Sequence, residues 1–143
     1  MVRLTTSSSI PNMPIIPGSA INVAVRYGSR WLLSIEALNM LYLDGKISRN
    51  TYWTLYKIVS VKFRSSLEYY RVLSRVHTRD VHCTQCGSGK GLEMDHYKPL
   101  ILYPARGLLM SNLRLLCKDC HNSKTKKERV MNFFTKLQKV YYR

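Results

Sequence analysis

The chain has 143 residues, a length that suits one domain, or one small domain with an added arm, and excludes a large multidomain enzyme. Its 23 lysine and arginine residues outnumber 8 acidic residues, which gives a formal net charge of +15. A charge of this sign attracts polyanions and favours nucleic acid as the partner, with an anionic membrane surface or a ribosomal-type RNA contact as alternatives. No apolar stretch reaches the roughly 18 residues of a membrane span, so no integral membrane segment is expected.

Residues 1–33 are predicted to form a flexible basic arm, because they are rich in serine, threonine and proline and contain no acidic residue. An organelle transit peptide has a similar composition and stays an alternative, although the weak amphipathicity and few arginines count against it. A secretory signal is not expected, since the first apolar run is short and carries Arg26 and Arg30. We therefore expect a reducing, cytoplasmic location, which would be the host cytoplasm for a phage-encoded protein.

Residues 34–79 are predicted to form a helical region. Apolar residues recur at helical spacing from Ile35 to Leu43, and an Asp-Gly pair then ends the run. Ser48 is a suitable N-cap for a second helix, and a third helix is expected from about Ser65. The pattern indicates a helical hairpin followed by one further helix.

Four cysteines form two Cys-x-x-Cys pairs, Cys83/Cys86 and Cys117/Cys120, separated by about thirty residues. Two such turns each present two thiolates, which is the ligand set of a tetrahedral structural zinc site. A disulfide framework is the alternative, but it is typical of secreted mini-proteins, and His82 is an alternative ligand. We expect Zn²⁺ at the four cysteines, where binding is worth of order 10 kcal/mol in small metallo-domains.

Residues 80–143 read as a compact unit of two strands and a basic helix. Strands are predicted at 92–96 and 113–116, and the intervening segment 97–111 is long for a hairpin turn, which suggests a functional loop. A basic helix is predicted over 119–137, with Val130 and other apolar side chains on its inner side.

The ordered set Cys-x-x-Cys, Asp-His, Asn-Leu-x-x-Leu-Cys-x-x-Cys-His-x-x-Lys resembles the zinc-containing (Cys₄) branch of the HNH endonucleases. The resemblance covers roughly residues 70–130 and leaves residues 1–65 uncovered. It implies an α+β fold in which a small ββα-metal domain, stapled by the Cys₄ zinc site, follows the α-helical region and the flexible N-terminal arm.

The resemblance also implies roles for four residues. Asp95 and His121 would hold a catalytic Mg²⁺ or Mn²⁺, and His96 would be the general base that deprotonates the attacking water. Asn112 would orient His96 by hydrogen bonding across the two strands, which we favour, or would add its side-chain oxygen to the metal. The expected ends are a 5′-phosphate and a 3′-hydroxyl.

Charged residues surround this motif in the sequence. Glu93 lies two residues before Asp95, on the same side of a strand, and is expected to reach the metal through water. Phosphate contact is expected from a set of basic residues for which a solvated basic face is the alternative: Arg114, Lys118, Lys124, Lys126 and Lys127.

These features predict a DNA endonuclease of the nicking or homing type that phages and introns often carry. One site cuts one strand, and the sequence does not decide between a monomer and a homodimer. The alternative is a non-catalytic, zinc-stabilised adaptor that binds nucleic acid. An adaptor has no chemical need for Asp95, His96, Asn112 and His121 together, which favours the nuclease.

Overall fold

A computed structural model describes residues 27–128 and 132–142. Helices and a two-stranded antiparallel sheet give the α+β fold that the sequence predicts. The elements are, in chain order, α1 Arg30–Leu43, α2 Arg49–Arg64, α3 Leu67–Asp80, β1 Leu92–His96, β2 Leu113–Cys117, α4 Lys118–Glu128 and α5 Phe133–Tyr141. Within the described residues no helix is long and apolar enough to cross a membrane.

The first three helices each begin at a serine. The hydroxyls of Ser29, Ser48 and Ser66 accept a backbone N–H of the first helical turn, from Trp31, Thr51 and Tyr69 respectively. Caps of this kind typically stabilise a helix by about 1 kcal/mol. The prediction of Ser48 as an N-cap is therefore confirmed, as is the helical hairpin that precedes the third helix.

The helices differ from the prediction near both ends of the chain. The predicted arm lies mostly outside the described residues, but α1 begins at Arg30, so the last four residues of 1–33 are helical and not part of an arm. The prediction of a single basic helix over 119–137 is wrong. The Asn132 side chain accepts the N–H of Phe134 at 2.9 Å, which caps α5 as a separate helix after α4. Val130 lies outside the described residues.

The main hydrophobic core lies between α1 and α2. It combines buried side chains of both helices with Leu100, which comes from the segment between the two strands, and Phe133 and Phe134 of α5 pack against it. A second, smaller cluster joins Val76 of α3 to Leu113 and Leu115 of β2. The strand connection and the last helix thus fold back onto the helical region.

The sheet pairs β1 with β2 in a register that sets Asp95 opposite Arg114 and His96 opposite Leu113. Both strands lie where the sequence predicts them, β2 being one residue longer. The outer edge of β2 is covered by side chains. Asp80 accepts the Leu115 N–H at 3.0 Å, and Arg79 donates to the carbonyls of Met110 and Leu113. Thr84 donates to the Leu115 carbonyl through its N–H and its hydroxyl.

A buried polar network connects the helices to the strand connection. The Asn39 side chain is fully buried; its oxygen accepts from the Tyr52 hydroxyl at 2.6 Å, and its nitrogen donates to the Ile101 carbonyl at 2.8 Å and the Tyr141 hydroxyl at 3.1 Å. Tyr141 in turn donates to Glu36 at 2.6 Å. One asparagine therefore bonds to α2, α5 and the segment between the strands.

Replacing Tyr52 by Phe is expected to destabilise the protein by about 1–3 kcal/mol, because the buried Asn39 oxygen loses its donor. Urea denaturation followed by circular dichroism measures the change. Tyr70→Phe is the matched control, since Tyr70 is 58% exposed. Equal stability of the two variants would show that the network does not hold the helices together.

Candidate active site and zinc site

The four cysteines come together, as the sequence predicts. Their sulfur atoms all lie within 4.8 Å of one another, and Cys86 and Cys117 are 3.6 Å apart. Tetrahedral zinc with bonds of about 2.3 Å would separate its sulfurs by about 3.8 Å, so the cluster fits the ion. The N–H groups of Cys86 and Cys120 point at the sulfurs of Cys83 and Cys117, each at 3.5 Å. The described metal-binding cluster does not include His82.

The four thiols lie so close together that their pKa values move apart. Burial raises the pKa of Cys83, but backbone N–H groups of Cys117, Cys86 and Gln85 outweigh it and bring the pKa to about 6. The Cys117 thiol beside Cys120 raises the pKa of Cys120 to about 12. Four thiolates this close repel one another, and a divalent cation removes that repulsion.

A second group of polar residues lines a cleft of about 530 Å³ between β1, α4 and the helical region. Asp95 is buried there, with 3% of its surface exposed. Its two carboxylate oxygens accept from Arg114 Nε at 2.9 Å and from Lys124 Nζ at 2.7 Å. These two cations compensate the charge of a carboxylate that would be costly to bury alone.

His121 lies in the first half of α4, directly after the last cysteine, so that the zinc site fixes its position against β1. Its Nδ1 pairs with Glu93 at 2.9 Å, and its Nε2 lies 3.8 Å from Asp95 Oδ1. A carboxylate that orients one imidazole nitrogen while the other faces a second carboxylate is a common metal-binding arrangement. The oxygen and imidazole donors of Asp95 and His121 therefore fit a divalent cation.

The His96 ring is held by the segment between the strands. Its Nε2 lies 2.9 Å from the carbonyl oxygen of Gly107. Because a carbonyl can only accept, Nε2 carries the proton and Nδ1 of the neutral ring is left to accept another. Burial lowers the pKa of His96, with a smaller contribution from the charges of Arg64 and Lys124. The neutral ring therefore predominates at pH 7.

Asn112 does not hydrogen-bond to His96 directly in the described structure. Its side-chain oxygen accepts the Lys98 N–H at 2.9 Å, and its nitrogen donates to the carbonyls of Lys98 and Arg106, each at 3.2 Å. Asn112 thus holds together the two ends of the segment 98–106, which leads directly to Gly107. It therefore affects the position of the His96 ring indirectly, through the Gly107 carbonyl.

Gly107 is also where this segment meets the helices. A Cβ atom there would lie 2.5 Å from Leu32 of α1 and 2.8 Å from Leu100, closer than carbon atoms approach. The absence of a side chain lets the backbone sit against the core, where its carbonyl reaches His96. The position of the histidine ring therefore depends on α1.

The basic residues predicted to contact phosphate divide into two groups. Arg114 and Lys124 pair with Asp95, and the Arg114 guanidinium also lies 4.2 Å from the centre of the Tyr97 ring. Lys118, Lys126 and Lys127 are exposed on α4. Phosphate contact stays a prediction for all five residues, and Arg114 and Lys124 also hold Asp95.

Residues 83–127 match the family model described as HNH endonuclease. The chain contains an HNH endonuclease domain. The HNH domain spans both cysteine pairs, β1, β2 and most of α4, and leaves α1–α3 and α5 outside the match. It indicates nuclease activity in general and a nucleic acid substrate. No curated protein and no solved structure matches the chain.

Some of the residues around the HNH site were not evident from the sequence. Gly107 contributes a backbone carbonyl, for which the only signal is a glycine in a proline-containing connection. Arg79 and Asp80 end a helix with ordinary charged residues, and nothing in the sequence shows that they bond to β2. The pairing of Asp95 with Arg114 becomes predictable only once the strand register is known.

Removing the zinc is expected to unfold the HNH domain, because the two short strands and α4 meet at the cysteine turns. Metal analysis should find one zinc per chain, and a zinc chelator should lower the melting temperature. Added Zn²⁺ should restore it, whereas Mg²⁺ serves as the control and should not. A melting temperature unchanged after complete loss of zinc would contradict a structural site.

Proposed function

We propose that the protein is a DNA endonuclease that hydrolyses phosphodiester bonds with one divalent metal ion, Mg²⁺ or Mn²⁺, and His96 as general base. The observation that carries the proposal is the shared cleft: His96, with Nδ1 left to accept a proton, lines it beside Asp95 and His121. The ends expected are a 5′-phosphate and a 3′-hydroxyl.

Asp95 and His121 are the residues that would hold the catalytic ion. Such an ion, when bound, supplies positive charge that stabilises the negative charge developing on the phosphate and on the departing 3′ oxygen. Glu93 supports this role, because its pairing with Nδ1 of His121 leaves Nε2 directed towards Asp95.

His96 supplies the base. Nδ1 accepts a proton from water, whose oxygen forms a bond to phosphorus as the bond from phosphorus to the 3′ oxygen breaks. The 3′ oxygen takes a proton from solvent and leaves as a hydroxyl. The lowered pKa of His96 suits this step, since the ring must be neutral before it can accept the proton.

Asn112 and Gly107 hold the His96 ring in position for this proton transfer. Asn112 holds the Lys98 and Arg106 backbone, and the Gly107 carbonyl fixes the ring through Nε2. We propose that Asn112 orients His96 through this connection and is not a metal ligand, because its side chain bonds to the backbone of Lys98 and Arg106 and does not line the cleft that holds Asp95 and His121.

DNA is the proposed substrate, which is supported by the match to the HNH endonuclease model and by the net charge of +15. One site cuts one strand, so we propose a nicking reaction. We also propose a homing-type preference for the target sequence, and mapping of the cut ends tests it. The second candidate function, a non-catalytic adaptor, is supported by the net charge of +15 and the exposed lysines of α4. It leaves the arrangement of His96, Asp95 and His121 without a purpose.

Replacing His96 by Ala is expected to lower DNA cleavage by about 10²–10⁴-fold, the usual contribution of a general base, while binding is retained. Zinc-loaded protein is incubated with supercoiled plasmid and Mg²⁺ or Mn²⁺, with EDTA as the metal control, and nicked product is measured over time.

His82→Ala is the matched control for this experiment, since His82 is an exposed histidine outside the cleft. It should cleave like the wild type. Ligation of the purified nicked product without prior phosphorylation tests the 5′-phosphate and the 3′-hydroxyl. Binding without cleavage, under each metal and on genomic as well as plasmid DNA, would favour the adaptor.

A further inference from the structure

The active-site cleft has a second wall that the HNH domain does not supply. Besides Asp95, His96 and His121, the cleft is lined by residues of α2 and α3, namely Tyr56, Arg64, Tyr69, Leu73 and His77. These residues lie outside the match at 83–127. A substrate strand that enters the cleft therefore meets both the HNH residues and the helical region.

The helices present one consistent face to this cleft. Tyr69, Leu73 and His77 are spaced by four residues, which places them along one side of α3. Arg64 is the last residue of α2 and joins the same wall. Arg71 lies about 160° around α3 from that side, by the helical period of 3.6 residues, and does not line the cleft.

Arg64 contributes a guanidinium to this wall of the cleft. The acidic residues of the cleft already have partners: Asp95 pairs with Arg114 and Lys124, Glu128 pairs with Lys124, and Glu93 lies 2.9 Å from Nδ1 of His121. Arg64 is exposed, and over residues 27–128 and 132–142 its guanidinium makes no ion pair and no hydrogen bond.

The charge of Arg64 nevertheless reaches the catalytic histidine. After burial and other nearby groups, it contributes to the lowering of the pKa of His96, and it opposes the effect of burial on the pKa of Tyr56 and of Tyr69. Arg64 lines the same cleft as His96, the ring that would activate water. A planar guanidinium with five donors matches two oxygens of one phosphate.

We infer that Arg64 binds a backbone phosphate of the DNA strand in the cleft, and that α2 and α3 form part of the substrate site. This inference rests on the proposed nuclease function. Its consequence is that residues 83–127 alone lack one wall of the site, so grip on the strand at the point of cleavage depends on the helical region.

Arg64→Gln tests the inference, with Arg71→Gln as a control that removes the same charge from another face. Under single-turnover conditions, Arg64→Gln should slow cleavage about 10–100-fold, the effect of losing hydrogen bonds to a charged group. Arg71→Gln should lose less than about threefold, the effect of one charge at the surface. Zinc content and melting temperature should match the wild type in both.

Binding is measured separately, in proteins that also carry His96→Ala, on a short DNA duplex at several salt concentrations. Arg64→Gln should weaken binding and reduce the salt dependence by about one phosphate contact, and Arg64→Lys should restore part of the affinity. Equal effects of Arg64→Gln and Arg71→Gln on cleavage and binding would overturn the inference. A wild-type protein that binds but never cleaves would refute the nuclease function, while the binding measurement still decides the role of Arg64.

Discussion

The central constraint on this protein is that two strands of five residues cannot form a stable sheet by themselves. The four sulfur atoms gather at one end of the strand pair, where Cys117 ends β2 and Cys83 and Cys86 come from the turn before β1. A zinc ion there would tie together segments that bury little apolar surface. The zinc site also positions the active-site cleft, because α4 starts at the same cysteine turn and places His121 next to Asp95 of β1.

The other end of the strand pair depends on the helices. The connection between the strands is closed by Asn112 and packs through Leu100 and Gly107 onto α1. Two sets of contacts therefore fix the position of this connection: the hydrogen bonds of the Asn112 side chain within the HNH domain, and the packing of Leu32 of α1 from outside it. His96, bonded to the Gly107 carbonyl, takes its orientation from both.

Much of this could be read from the sequence, for reasons that are specific. Helical spacing, serine caps and strand alternation are local signals, so α1–α3, β1 and β2 were predictable, and the spacing of the cysteines predicted their cluster. Contacts between residues that are far apart in the sequence were not predictable. Arg114 and Lys124 look like phosphate-binding residues in the sequence, and the structure shows that both also pair with the buried carboxylate of Asp95. Likewise Asn132 looks in the sequence like one more polar residue within a basic helix, but in the structure it is the N-cap of the separate helix α5.

The covered edge of β2 has a consequence for how copies of this protein can associate. The carbonyl of Leu113 and both backbone groups of Leu115 are bonded to Arg79, Asp80 and Thr84 of the same chain. A strand from another molecule finds no free donors or acceptors at these positions, so the sheet cannot be extended across β2. Two copies that cut opposite strands of one duplex would therefore have to meet through a surface other than this edge, and that surface would set the spacing of their cuts.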